Sequence, residues 1–141
     1  MAKFLLVLDD TERGKIAFQK IYELAKQGLR GEVFLLYIRE MEIPPFVSEE
    51  KEMSAYHRLM TQSIEKLEKY KKELENVGLV VSDVKVAFGS YADRILMLER
   101  EIKPDLIVVG LKKRVVSRLF GKDPCEILLK KSRANLLICR G

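Results

Sequence analysis

A chain of 141 residues, 48% of them hydrophobic, suits one domain over residues 1–141 with a sizeable core and leaves no room for a second. No apolar run approaches the ~20 residues that a bilayer crossing needs, and the opening apolar stretch meets Asp9 and Asp10 too early for a signal peptide, so a soluble cytoplasmic protein is expected. The formal charge of +5 is uneven: from Leu111 onward nine Lys or Arg face two acids, a net of +7 that leaves the first 110 residues at −2, which suits either an anionic ligand or a solvated surface with a basic helix end.

Phe4 to Leu8 is wholly apolar and reads as a strand buried on both faces, stopped by acids and Thr11. Ile16, Ala17, Lys20, Ile21, Leu24 and Ala25 then keep helical spacing, and Gly28 to Gly31 stops that helix. Val33 to Ile38 is a second buried strand. Arg39 to Ser48, with Pro44-Pro45, reads as a loop. A long polar helix follows, with Met53, Tyr56, Met60, Ile64, Leu67, Tyr70, Leu74 and Val77 as its apolar side. Its heptad-like spacing raises a coiled coil, but Ser63 interrupts the second seam and the run is short, so packing on a sheet is expected.

Gly78 ends the long helix, and Val80 to Phe88 is the third strand. Ser90 and Asp93 have capping-box spacing before a helix whose inner side is Ala92, Ile95, Leu96, Leu98 and Ile102. Leu106 to Val109 is the fourth strand, and Gly110 leads into a basic loop. Asp123, Pro124 at the first helical position and Glu126 open the last helix, and Asn135 to Cys139 is the fifth strand. This alternation predicts an α/β fold, a doubly wound five-stranded parallel sheet with helices on both faces. Ligands of such sheets bind beyond the carboxyl ends of the strands where strand order reverses, which selects Asp9-Asp10-Thr11, Ile38 onward and Gly110 onward.

The chain resembles the universal stress protein family over nearly its full length. The resemblance rests on Phe4 to Glu12, Val33 to Ile38, Lys71 to Gly78, the turn Gly89-Ser-Tyr-Ala-Asp-Arg-Ile95, the strand Asp105-Leu-Ile-Val-Val-Gly110 and the closing Asn135 to Arg140. It implies a Rossmann-like fold, a role in stress response and, as in some members, ATP with magnesium. Carried over, Asp9 would lie near the nucleotide, Ile38 and Val109 would flank the adenine, and Gly110 and Gly121 would bound the phosphate loop. The loop departs from the pattern of the ATP-binding members. Lys113 stands at the second glycine, the ten residues between Gly110 and Gly121 are two too few, and Lys122 replaces a Ser or Thr. A Cβ at Lys113 resists the close backbone approach that glycine allows, and Asp123 brings a carboxylate to the helix N-terminus. Lys113 and Lys122 are the candidates for phosphate contact through side chains instead.

Other candidates have bland readings beside the functional ones. Asp9 and Asp10 could hold a magnesium-bound nucleotide or simply cap a helix. His57, the one histidine, reads as a surface residue, and Phe88 and Tyr91 read as core more readily than as base-stacking rings. Cys125 and Cys139 lack Cys-x-x-Cys spacing and read as reduced structural thiols, so no metal site is expected. No dinucleotide fingerprint, complete Walker A loop, nucleophile elbow or zinc spacing occurs, so the expectation is a binding protein and not an enzyme, with nucleotide hydrolysis as a weaker alternative. No nucleic-acid recognition motif is present, and the protein partner is unnamed by the sequence. The last strand, with Leu136, Leu137 and Ile138, is expected at a sheet edge, where self-pairing into a homodimer would cover it.

Overall fold

The computed structural model describes residues 1–40, 49–112 and 123–141. Nine elements alternate along it: β1 (Lys3–Asp9), α1 (Glu12–Lys26), β2 (Glu32–Arg39), α2 (Glu49–Asn76), β3 (Val80–Phe88), α3 (Tyr91–Ile102), β4 (Leu106–Leu111), α4 (Pro124–Lys131) and β5 (Asn135–Arg140). The five strands form one sheet in the order β3-β2-β1-β4-β5, and every pairing is parallel. Strand order reverses between β1 and β4. The expected architecture is therefore present, and the apolar run of β1 owes its composition to its central place, buried from Phe4 to Asp9.

Side chains alternate across β1 into two cores. Phe4, Leu6 and Leu8 join Ala17, Phe18 and Ile21 of α1 and Leu67 and Leu74 of α2 on one face. Leu5 and Val7 join Ile95 and Leu96 of α3 and Cys125 and Leu128 of α4 on the other. Phe18, not Lys20, completes the buried stripe of α1.

Local expectations needed four corrections. In α2 the sheet claims only one narrow stripe: Ser63, Leu67 and Leu74 are buried, while Met53 is 65% exposed and Ile64 44%. Ser63, read as an interruption, faces inward instead, accepting from Arg39 Nε at 2.9 Å and donating to the Leu59 carbonyl at 2.7 Å. The side chain of Ser90, at the start of α3, makes no capping bond; its carbonyl accepts from the Arg94 amide as in any helical turn. Finally, β4 runs on through Gly110 to Leu111, and β2 through Arg39, so both outlast their apolar runs. The Pro44-Pro45 loop lies outside the described residues.

A buried carboxylate ties the second face together. Glu99 on α3 accepts from Ser132 Oγ at 2.9 Å and from the amides of Arg133 and Ala134 at 2.7 and 2.9 Å, fixing the turn from α4 into β5. No described helix is long and apolar enough to cross a membrane.

Candidate functional site

The site lies where β1 and β4 part. Their pairing runs from Phe4 and Leu106 to Leu6 and Val108, and beyond it the first turn of α1 enters between the strand ends. Two glycines make room for that turn. A Cβ on Gly14 would lie 2.6 Å from the Asp9 nitrogen and 2.8 Å from its carbonyl oxygen. A Cβ on Gly110 would fall onto the backbone carbonyl of Arg13. Gly110 therefore serves first as a close-packing residue between β4 and α1.

The polar groups gathered here satisfy one another. Asp9, 5% exposed, accepts from the Thr11 amide at 3.0 Å, from Thr11 Oγ1 at 2.7 Å and from Arg13 Nε at 2.5 Å. Thr11 precedes α1 as its capping residue, yet its hydroxyl is used on Asp9 and not on the helix. Arg13 Nη2 donates to Glu40 Oε1 at 2.7 Å, and the guanidinium lies over the Tyr91 ring with its carbon 3.5 Å from the centroid. Burial works against the Arg13 charge, but Tyr91, Asp9 and Glu40 outweigh it and hold the guanidinium pKa above its ordinary value. Burial, foremost, raises the Tyr91 phenol, so the ring stays neutral beneath the cation. Asp10 is exposed and lies 3.7 Å from Arg39 Nη1. Lys112 reaches back to Glu12 at 3.1 Å.

Arg13 thereby divides the cleft. On one side, Asp9, Asp10, Thr11, Ile38, Arg39 and Glu40 line a cavity of about 170 Å³ with Arg13. On the other, Tyr91, Gly110, Leu111, Lys112, Asp123 and Cys125 line one of about 220 Å³, again with Arg13. Each is smaller than the ~300 Å³ at which pockets for organic ligands begin.

The helix that would face a phosphate is closed as well. Asp123 caps α4, its carboxylate accepting from the Cys125 amide at 2.9 Å, while its carbonyl accepts from the amides of Glu126 and Ile127 at 2.9 and 3.3 Å. Pro124 has no N–H. All four leading positions of α4 are thus without a free backbone donor, the opposite of an anion-binding helix start. Burial, with the Asp123 carboxylate beside it, pushes the Cys125 thiol up to about 11, so it is no nucleophile at neutral pH.

Of the residues chosen from sequence, Asp9 and Ile38 share the smaller cavity and Gly110 lines the larger. Val109 is fully buried in the core and lines neither. Gly121, Lys113 and Lys122 lie outside the described residues. His57 is exposed, and Phe88 packs on Tyr56 with ring centroids 4.7 Å apart. Sequence reasoning missed Arg13, Gly14 and Glu40. Gly14 alone left a signal, since a lone glycine early in a helical pattern usually marks a close approach. Asp9, the residue the resemblance places near a nucleotide, is held by Thr11 and Arg13, and no cluster of metal-ligating side chains occurs among the described residues.

The model of the universal stress protein family matches residues 1–140. The chain belongs to that family. Among solved structures, a hypothetical protein studied as a test case of structural genomics is 27% identical, with a TM-score of 0.78 over 99% of this chain and 96% of that one. The universal stress protein UspA from Lactobacillus plantarum is 14% identical, with a TM-score of 0.69 over 99% and 97%. A family protein from Arabidopsis thaliana, solved with AMP bound, is 13% identical, with a TM-score of 0.65 over 99% and 92%. The last two likenesses speak for the fold alone. A comparison with curated proteins found no match.

Proposed function

We propose that this universal stress protein works in the cytoplasm by binding and association, as a homodimer, and does not hold ATP as nucleotide-binding members do. The observation that carries the reading is Arg13, which fills the switch-point cleft between Asp9, Glu40 and Tyr91. The capped start of α4 supports it, because a phosphate arriving there would meet the Asp123 carboxylate. Mass spectrometry of the native protein and calorimetry with ATP and magnesium test it. The expected outcome is no bound nucleotide and no heat; a stoichiometric complex would overturn the reading.

The dimer is argued from β5. Among the described residues this strand pairs only with β4, and Leu136, Leu137 and Ile138 each stay partly exposed. Leu129 on the preceding helix is 63% exposed. An open apolar edge invites pairing with a second copy about a two-fold axis. Light scattering at micromolar concentration should give twice the 16.3 kDa chain mass, and a monomer would refute the assignment.

A second reading, an ATP-binding regulatory protein, draws on the AMP-bound relative. It requires Arg13 to leave its place. Nucleotide hydrolysis is the weakest reading, since it needs the same displacement and a metal held by Asp9 or Asp10. Hydrolysis abolished by Asp9→Ala would establish it.

A further inference from the structure

We propose that the switch-point cleft of this chain is a guanidinium-binding site whose present occupant is its own Arg13. This deepens the reading above and rests on it, by naming the chemistry the closed cleft accepts.

Three groups from separate parts of the chain converge on one planar cation. Asp9, at the end of β1, receives Nε, and Glu40, just past β2, receives Nη2 at 2.7 Å. The Tyr91 ring, at the start of α3, lies beneath, 3.5 Å from centroid to guanidinium carbon. Two carboxylates on the donor edges and an aromatic face below are the complement of a guanidinium and not of an ammonium, because only the fork reaches both acceptors while stacking. Cavities flank the occupant on both sides, so it is held by these contacts and not by dense packing alone. The Tyr91 hydroxyl, on a residue 2% exposed that lines the larger cavity, has no hydrogen-bond partner among the described residues. It leaves a donor or acceptor for whatever a larger guanidinium ligand carries into that space.

The same arrangement rejects nucleotide phosphate. Without the Arg13 side chain, Asp9 and Glu40 lose a cationic partner, and their charge opposes an anion in the space it leaves. A ligand that displaces Arg13 must therefore be a cation of the same shape, such as a small guanidino compound or an arginine side chain offered by a partner.

The test is chemical rescue of Arg13→Ala in the full chain, with low-millimolar guanidinium chloride as the probe and equimolar sodium chloride as the control. The variant's melting temperature should rise with guanidinium by mass action, while the wild type, already occupied, shows no rise. Adding Tyr91→Leu to the variant should weaken the response at least about tenfold, as expected for loss of a desolvated cation–π contact and its packing. An equal response in variant and wild type, or none in the variant, overturns the proposal. Should Arg13→Ala fail to fold, the wild type still decides it: the Arg13 Nε–H proton should exchange slowly in NMR spectra, and rapid exchange overturns the site. ATP heat in the wild type would sink the reading of the previous section without altering the guanidinium response of the variant.

Discussion

The carboxyl end of the sheet and its β5 edge make opposite use of their polar and apolar groups. At the carboxyl end Asp9, Thr11, Arg13 and Glu40 satisfy one another over the Tyr91 ring, and Asp123 uses the donors of α4. At the edge, β5 has a strand neighbour on one side only among the described residues, and its leucines pack on the two cores while staying partly exposed. At the switch point Arg13 thus stands between two small cavities, while the edge at β5 keeps one side without a neighbouring strand among the described residues. A site is read from what its groups already bind, and not from its position in the fold alone.

Breaking the cleft should produce the largest effect. Gly110→Ala puts a methyl onto the Arg13 carbonyl, which belongs to backbone and cannot swing aside, so a loss of about 3 kcal/mol or more is expected in urea unfolding. A loss under about 1 kcal/mol would show that α1 can back away from β4. Arg13→Ala removes the partner of a buried carboxylate that keeps its two Thr11 bonds. About 2–3 kcal/mol is expected, below the range for a wholly buried pair because Arg13 is partly exposed.

At the edge the expected readout is assembly. Leu136→Thr keeps a strand-forming residue but removes apolar surface, so the proposed dimer should weaken by roughly tenfold, read by light scattering across a dilution series, with circular dichroism unchanged. An unaltered dimer would move the interface elsewhere. A separate effect is alkaline. The Cys125 thiol ionises near 11 in the fold against its ordinary 9, so the unfolded chain loses its proton first. Stability should be unaffected below about pH 9 and fall between there and about pH 11, more in the wild type than in Cys125→Ala.

Much of the fold was legible before any coordinate. The unbroken apolar runs of β1 and β4 are what strands covered on both faces require, and Asp123-Pro124 announced the start of α4 with the cap it makes. The apolar side of α2 was overdrawn, because periodicity states which residues share a face and not how much of that face the sheet can reach. Ile64 shows this, at helical spacing from Met60 and Leu67 yet 44% exposed.

The sequence by itself determined the alternation of elements, the family, and the neighbourhood in which a ligand would lie, since these follow from local pattern and chain connectivity. Only the tertiary structure decided what occupies that neighbourhood. An arginine in the first turn of a helix reads as a solvent-facing charge. Its partners stand 27 residues away at Glu40 and 78 away at Tyr91, brought within reach by the parallel sheet and by two glycines that let the helix come close. Contacts over such separations leave no periodic trace, so the cleft's occupant appears only once the chain has folded around it.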